Sequence, residues 1–475
     1  MARKALFLLI TVLSVSFFIF ELWKLLDLGV HYDEAYTLLN YVLSGVSGAI
    51  TTYDMPNNHI LNSVLLALQF KILDFSILSL HLVSFLSFVI SLLLGLKLVR
   101  SRSGKIIWIF LFSVPSIFIH YSVEARGYGL QGLFMLLAIY ALENYEYTQK
   151  NESLRRSIRW IVLAFWTVPT FLYMALMPVA PVLNWAKPKT ERWPVFKEEL
   201  IAGIKGVLWV VFLYVPILFY VAFYGVKMGG DTVGFKDLFI KLPSYFWNLL
   251  NSFFAESFWL VIVGFVGVYF HLKLAKKVLW ALAVAVLICI LTKSLPPYDR
   301  LWLPFFVLLT LYSAEGWGIL IKKAKPWLNP IFIVIPVICL SAYKYKTNYS
   351  AVKNSFQTEG ELLSVYKKLS ELIKPGDYLV APVAYKDQMR AYHAIEGTGF
   401  LRWRLFNLEE HWRMALFLVY DDTTKIKFPI EAKGSGSKIY MIKDGSPNSP
   451  VVEAIKGIEL SNEVFRSQSF FVISN

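Results

Sequence analysis

The sequence has 475 residues, of which 57 % are apolar and 17 % charged, against about 45–50 % apolar and about 25 % charged in soluble domains. The apolar residues gather in uncharged runs of about 15–22 residues, long enough to cross a hydrocarbon layer of about 30 Å as helices. This excludes a soluble enzyme and a nucleic-acid-binding domain. The formal charge of +14 needs no acidic partner, because cytoplasmic loops of membrane proteins carry excess Lys and Arg.

In chain order, Arg3 and Lys4 precede an apolar stretch from Ala5 to about Leu26, with no small-residue cleavage site before Glu21. This predicts an uncleaved first span whose amino end is cytoplasmic. A large external loop at 27–77 follows, holding Asp27, Asp33, Glu34 and Asp54 against Lys71. Inside it Ile60–Leu73 is apolar for only about 14 residues, a length that suits a re-entrant or interfacial helix. Were it to cross, the basic loop from Arg100 to Lys105 would fall outside, against the positive-inside tendency.

Span two is expected at about Ser79–Val99, span three at Ile106–Ile119 and span four at Tyr128–Leu142, leading to the basic loop with Arg155, Arg156 and Arg159. A tight pair, Trp160–Tyr173 and Met174–Trp185, ends at another basic segment. Further spans are read at Leu200–Tyr224, Phe258–His271, Val278–Leu291, Leu301–Ile321 and Trp327–Ala342. That makes about eleven crossings with every inner loop basic. Cys289 and Cys339, both inside apolar runs, suggest neither a disulfide framework nor a thiolate metal site.

Residues 1–344 thus read as a transmembrane domain and 345–475 as a soluble α/β domain, which crossing parity places outside the cytoplasm. In the latter, Glu361–Ile373 has helical spacing, and Lys374-Pro-Gly-Asp377 is a stop-and-turn signal. Tyr378–Ala381, Ala415–Tyr420, Lys438–Ile442 and Ser469–Ser474 read as strands. Asn348-Tyr-Ser350 is a glycosylation sequon.

Four external groups carry chemistry. Asp33 and Glu34 sit where the first span leaves the membrane, and a partly desolvated carboxylate there can act as general base towards a hydroxyl. Met55-Pro-Asn-Asn-His-Ile60 offers Asn58 and His59 at the mouth of the short helix. These residues can be a cap and turn, or His59 can donate to a phosphate or sugar oxygen or bind a metal. Glu124-Ala-Arg-Gly-Tyr128 places Arg126 at an outer span end, against the inside bias. Its role is either an ion pair with Glu124 or a functional charge. Pro297-Tyr-Asp-Arg300 again sets an arginine beside a carboxylate, Asp299. Guanidinium forks match phosphate oxygens. Neither a P-loop nor a dinucleotide fingerprint occurs, which points to a donor delivered by the membrane.

At these residues the sequence resembles the GT-C glycosyltransferases that use polyprenyl-phosphate sugars, notably the protein O-mannosyltransferase and aminoarabinose transferase group. The matching pieces are Asp33-Glu34, Pro56-Asn-Asn-His59 where that group often has His-Pro-Pro, Glu124-Ala-Arg-Gly-Tyr128, and Pro297-Tyr-Asp-Arg-Leu-Trp-Leu-Pro304. Trp-Trp-Asp, the tripeptide of oligosaccharyltransferases, is absent. The resemblance implies a GT-C-like polytopic helical fold and an inverting transfer of one sugar from a polyprenyl-phosphate donor. The acceptor would be a hydroxyl of a lipid, glycan or protein on the extracytoplasmic side of the cell membrane. It implies Asp33 as base, with Glu34 and His59 assisting acceptor or metal binding and Arg126 and Arg300 on the lipid phosphate. Asn58, Glu124, Tyr128 and Asp299 complete the substrate- or metal-binding set. It implies no definite cofactor; a divalent metal stays open, and Leu130 and Gln131, standing where many relatives have Asp, count against a metal site of the family type. A transporter or flippase of polyprenyl-linked glycans, and a non-catalytic envelope assembly protein, are the alternatives.

Overall fold

A computed structural model describes residues 2–53, 57–148, 150–169, 189–224, 235–255, 280, most of 282–291, 299–323, 330–372 and 378–396, together with the strand segments 416–420, 439–444, 462–466 and 470–474. Expected spans Met174–Trp185 and Phe258–His271 lie outside the described residues. The chain folds as two compact units, one of Met1–Lys24, Ile50–Asn62 and Leu82–Val352, the other of Leu25–Ala49, Ser63–His81 and Lys353–Asn475.

The helices are α1 Ala2–Trp23, α2 Tyr32–Thr37, α3 Gly45–Thr51, α4 Ile60–Gln69, α5 Ile77–Leu98, α6 Arg102–Ser113, α7 Ser116–Val123, α8 Tyr128–Thr148 and α9 Asn151–Thr167. Beyond these come α10 Lys189–Tyr224, α11 Phe235–Ala255, α12 Leu303–Lys323, α13 Pro330–Leu372 and α14 Val383–Glu396. Among the described residues, α5 and the Phe196–Ala222 part of α10 are long and apolar enough to cross a membrane. The pair α6 and α7 makes a third crossing if its two pieces count as one. Only 11 % of Phe196–Ala222 is buried within the protein, and Phe212 is 65 % exposed, as lipid-facing side chains are.

The expected span Ile106–Ile119 is not one straight helix. Pro115 has no N–H to give to the preceding turn and its ring blocks that turn, so α6 stops at Ser113 and α7 departs from it at 70°. Likewise the expected Ile60–Leu73 helix closes at Gln69. At the other end of the chain, the span expected to finish near Ala342 and the helix expected from Glu361 are joined in the continuous helix α13.

In the first unit small residues let helices approach closely. A Cβ on Gly95 of α5 would lie 2.0 Å from the Trp108 indole of α6, whose N–H donates to the Leu92 carbonyl at 2.9 Å. Gly104 of α6 and Gly318 of α12 meet around Ser101, whose Oγ caps α6 by accepting from the Gly104 N–H at 3.0 Å. Asn348 is buried and donates to the Val114 carbonyl at 2.8 Å, so the sequon is taken up by packing. Cys289 is buried and Cys339 exposed, both as free thiols.

The second unit contains α2, α14 and a five-stranded sheet. Its strands are β1 Tyr378–Pro382, β2 Leu416–Tyr420, β3 Ile439–Asp444, β4 Asn462–Arg466 and β5 Phe470–Ser474, in the order β2-β1-β3-β5-β4. β1 runs parallel to β2 and β3, while β5 is antiparallel to β3 and β4. Four strands coincide with apolar runs read in the sequence. β4 does not, because Asn-Glu-Val-Phe-Arg has only two apolar residues.

Candidate functional site

Most of the sequence-marked residues of the first unit meet at one loop. α7 ends at Val123 and α8 begins at Tyr128, leaving Glu124–Gly127 as a tight connection in which the Arg126 N–H donates to the Glu124 carbonyl at 2.6 Å. The start of α4 grips this loop. Asn62 donates to the Ala125 carbonyl at 3.1 Å, and the Gly127 N–H donates to His59 Nδ1 at 2.8 Å. Position 127 has to be Gly because a Cβ there would lie 2.6 Å from Thr167 Cγ2 and 3.1 Å from His59 Cβ. Asn58 is buried and donates to the Thr52 carbonyl at 2.8 Å, the cap-and-turn role.

The proton of His59 follows from that geometry. A neutral imidazole has one donor and one acceptor nitrogen, and Nδ1 is the acceptor for Gly127, so the proton sits on Nε2. Burial above all, and then Arg126 and Arg300, push the His59 pKa well below its ordinary value, with Glu124 acting against them. The ring is neutral. Its Nε2 lies 3.3 Å from Arg126 Nη2, and a guanidinium can only donate. The imidazole and the guanidinium thus lie side by side, with the His59 ring also 4.6 Å from the Tyr128 ring centre.

Arg300 joins the same cluster. The guanidinium carbons of Arg126 and Arg300 lie 5.5 Å and 6.0 Å from the Tyr128 ring centre, and Arg300 hydrogen-bonds the Tyr121 hydroxyl. Its placement comes from the short 3-10 turn Asp299–Trp302, pinned where the buried Trp302 indole donates to the Tyr245 hydroxyl at 2.6 Å. Asp299 itself is exposed. Arg126 is 2 % exposed. A Glu124 carboxylate oxygen lies 3.2 Å from His120 Nε2. Tyr53, whose pKa is raised to about 12 by burial and by Tyr128, and Tyr121 belong to the cluster without having been singled out in the sequence. Tyrosines are so frequent in this chain, 26 in all, that only tertiary placement distinguishes these two.

A metal ion at His59 does not fit this arrangement. One ring nitrogen is engaged by a backbone N–H and the other faces a guanidinium, and among the described residues no three His, Cys, Asp or Glu side chains converge.

In the second unit, Asp33 and Glu34 share α2 but differ in surroundings. Glu34 is 1 % exposed. Its Oε2 accepts the His31 N–H at 2.7 Å, and its Oε1 lies 3.1 Å from His81 Nε2. His81 Nδ1 must donate to the Leu26 carbonyl at 2.8 Å, since a carbonyl only accepts. Both oxygens of Glu34 are engaged in holding the start of α2. Asp33, next to it, is half-buried.

No protein-family model and no curated protein matches the sequence. Among solved structures, ArnT from Cupriavidus metallidurans in the apo state is similar with a TM-score of 0.61 at 10 % identity, over 100 % of this chain and 98 % of that one. ArnT bound to undecaprenyl phosphate is similar with a TM-score of 0.59 at 11 % identity, over 98 % of this chain and 97 % of that one. The likeness extends over the whole length of the chain, so the chain shares the fold of these ArnT structures.

Proposed function

We propose that the protein is an inverting glycosyltransferase that moves a single sugar from a polyprenyl-phosphate donor to an acceptor hydroxyl on the extracytoplasmic side of the membrane. The observation that supports this reading is the gathering of His59, the buried Arg126 and Arg300 at the Tyr128 ring, with His59 Nε2 3.3 Å from the Arg126 guanidinium. An anion with several oxygens answers such a site, and guanidinium–phosphate pairing is strong and directional. One of the two solved relatives carries undecaprenyl phosphate, a ligand of this chemistry.

The roles follow. Asp33 takes the proton of the acceptor hydroxyl, whose oxygen attacks the anomeric carbon opposite the phosphate. The bond from that carbon to the phosphate oxygen breaks, and the anomeric centre inverts. Arg126, Arg300 and the His59 N–H receive the charge that develops on the leaving phosphate, a preorganised arrangement that requires no rearrangement at the moment of reaction. Tyr128 attracts both guanidinium groups to its ring by cation–π contact, while Glu34 anchors the helix that bears Asp33. The N-terminus is cytoplasmic, and residues 345–475 are extracytoplasmic.

Replacing Asp33 with Asn tests the reading. Release of undecaprenyl phosphate from labelled undecaprenyl-phosphate hexoses is expected to fall at least about 10³-fold, in line with loss of a general base, while binding of undecaprenyl phosphate is retained. Full release by the Asp33→Asn protein removes the base assignment. A flippase would translocate the lipid equally with either residue.

A further inference from the structure

The segment that carries Asp33 is held from two sides by side chains that no role above uses. Val30 has both of its backbone groups taken by α14: its N–H donates to the Tyr392 hydroxyl at 3.1 Å, and its carbonyl accepts from Gln388 Nε2 at 3.0 Å. Tyr392 in turn donates to the Glu359 carbonyl at 2.7 Å. The Glu359 carboxylate accepts from the Gln388 amide and lies 3.6 Å from His31 Nδ1. Gln388 and Tyr392 are buried.

The apolar contacts converge on the same short stretch. Phe356, fully buried, presents its ring edge-on to His31 at 4.3 Å and to His81 at 5.8 Å between centres. Backbones touch where Gly29 passes Gly360. A Cβ on Gly360 would sit 2.0 Å from the Leu28 carbonyl oxygen, and one on Gly29 would sit 2.5 Å from the Gly360 nitrogen. Polypeptide more than 300 residues away in sequence thus fixes Leu28–His31, while His81 fixes Glu34, and Asp33 lies between the two anchors.

We propose that Glu359, Gln388 and Tyr392 form a clamp that positions Asp33, so that the segment after Val352 serves the transfer step by ordering the first external loop. The clamp rests on the reading of Asp33 as base. Tyr392, Gln388 and Glu359 are positioning residues: they act through the Val30–His31 backbone, whose conformation sets where α2 starts and which way its first turn faces. Burial of the Tyr392 phenol raises its pKa, which keeps its proton in place for the Glu359 carbonyl.

The test uses the full chain in lipid nanodiscs. Tyr392→Phe removes one hydroxyl and Gln388→Met one amide, each with little change of volume. Hydrogen exchange over residues 28–37 is expected to accelerate about tenfold or more in the double variant, with 128–148 unchanged. The turnover number for release of undecaprenyl phosphate from undecaprenyl-phosphate mannose or glucose is expected to fall at least tenfold, with the donor KM within twofold of wild type. Unchanged exchange over 28–37 overturns the clamp. So does faster exchange with an unchanged turnover number, or an equal acceleration over 128–148, which would mark a general loss of stability. Gly360→Ala, which wedges the same contact from the backbone side, must give the same split between turnover number and KM. A wild type as inactive as Asp33→Asn brings down the base reading itself. An active wild type with an equally active double variant brings down the clamp alone.

Discussion

Two buried polar clusters, one in each unit, differ in the charge at their centre. Around Glu34 a carboxylate is central: its two oxygens meet the His31 N–H and His81, and His81 meets the Leu26 carbonyl. Around Arg126 basic groups gather: the His59 imidazole lies 3.3 Å from its guanidinium, and the Arg300 guanidinium reaches the same tyrosine ring. Burying ionic groups is costly unless they are paired and hydrogen-bonded. The acidic cluster ties α2 to α5, and the basic cluster gathers the positive charge on which the proposed phosphate site relies.

The largest effect is expected at Arg126. Replacing it with Met is expected to weaken binding of undecaprenyl phosphate about 10²-fold or more, the scale of losing a preorganised charge donor, with the thermal midpoint of the protein unchanged or raised because like charges no longer crowd Tyr128. Arg300→Met is expected to follow in the same direction with a smaller effect, since Arg300 is half-buried and shares its donors with Tyr121. Titrating lipid phosphate into both variants in nanodiscs measures this.

Removing a partner from the acidic cluster should do the reverse. His81→Leu leaves Glu34 buried without its imidazole and is expected to lower stability by about 3–5 kcal/mol, read from denaturant unfolding, with little direct change in lipid-phosphate binding by the folded fraction. An equal loss of binding in both clusters would erase the distinction drawn between them. A middle case is Gly127→Ala, whose added methyl meets Thr167 at 2.6 Å. Overpacking of this kind is expected to cost about 1–3 kcal/mol, and it displaces the N–H that sets the His59 tautomer, so binding and stability should fall together.

The smallest effect is one of pH. His59 has a folded pKa well below the ordinary 6.5. Above that value the imidazole is neutral in both folded and unfolded chains and contributes no pH dependence. As the pH falls below 6.5, the unfolded chain takes up a proton that the folded one refuses, and stability declines by at most about 1.4 kcal/mol per pH unit. His59→Gln is expected to remove this part of the acid slope, measurable as a flatter dependence of the unfolding midpoint between pH 6.5 and acid unfolding.

Much of this architecture was legible in the sequence where the signal is local. The apolar run at Ser79–Val99 became α5 at Ile77–Leu98, and four of five strands lie on apolar runs bounded by turn residues. The bend between α6 and α7 was also a local signal, since Pro115 was there to be read. Arg126 and Arg300 stood out in the sequence because a basic residue at an expected outer span end opposes the orientation rule, and His59 because it precedes a short apolar helix. What the sequence concealed depends on distant parts of the chain. His81 is a lone histidine in an apolar helix until the fold sets it against Glu34. Gln388 and Tyr392 are ordinary helix residues until α14 reaches the backbone of Val30, more than 350 positions earlier. The tautomer of His59 is likewise invisible to composition, because it depends on which ring nitrogen the Gly127 N–H occupies.

Titrating undecaprenyl phosphate against nanodisc-embedded wild type, Arg126→Met and His81→Leu side by side shows whether the basic cluster around Arg126 is a lipid-phosphate site. Saturable binding to wild type is expected, with a loss of about 10²-fold or more in affinity for Arg126→Met and wild-type affinity for the folded His81→Leu protein. Undiminished binding by the Arg126→Met protein would contradict that assignment.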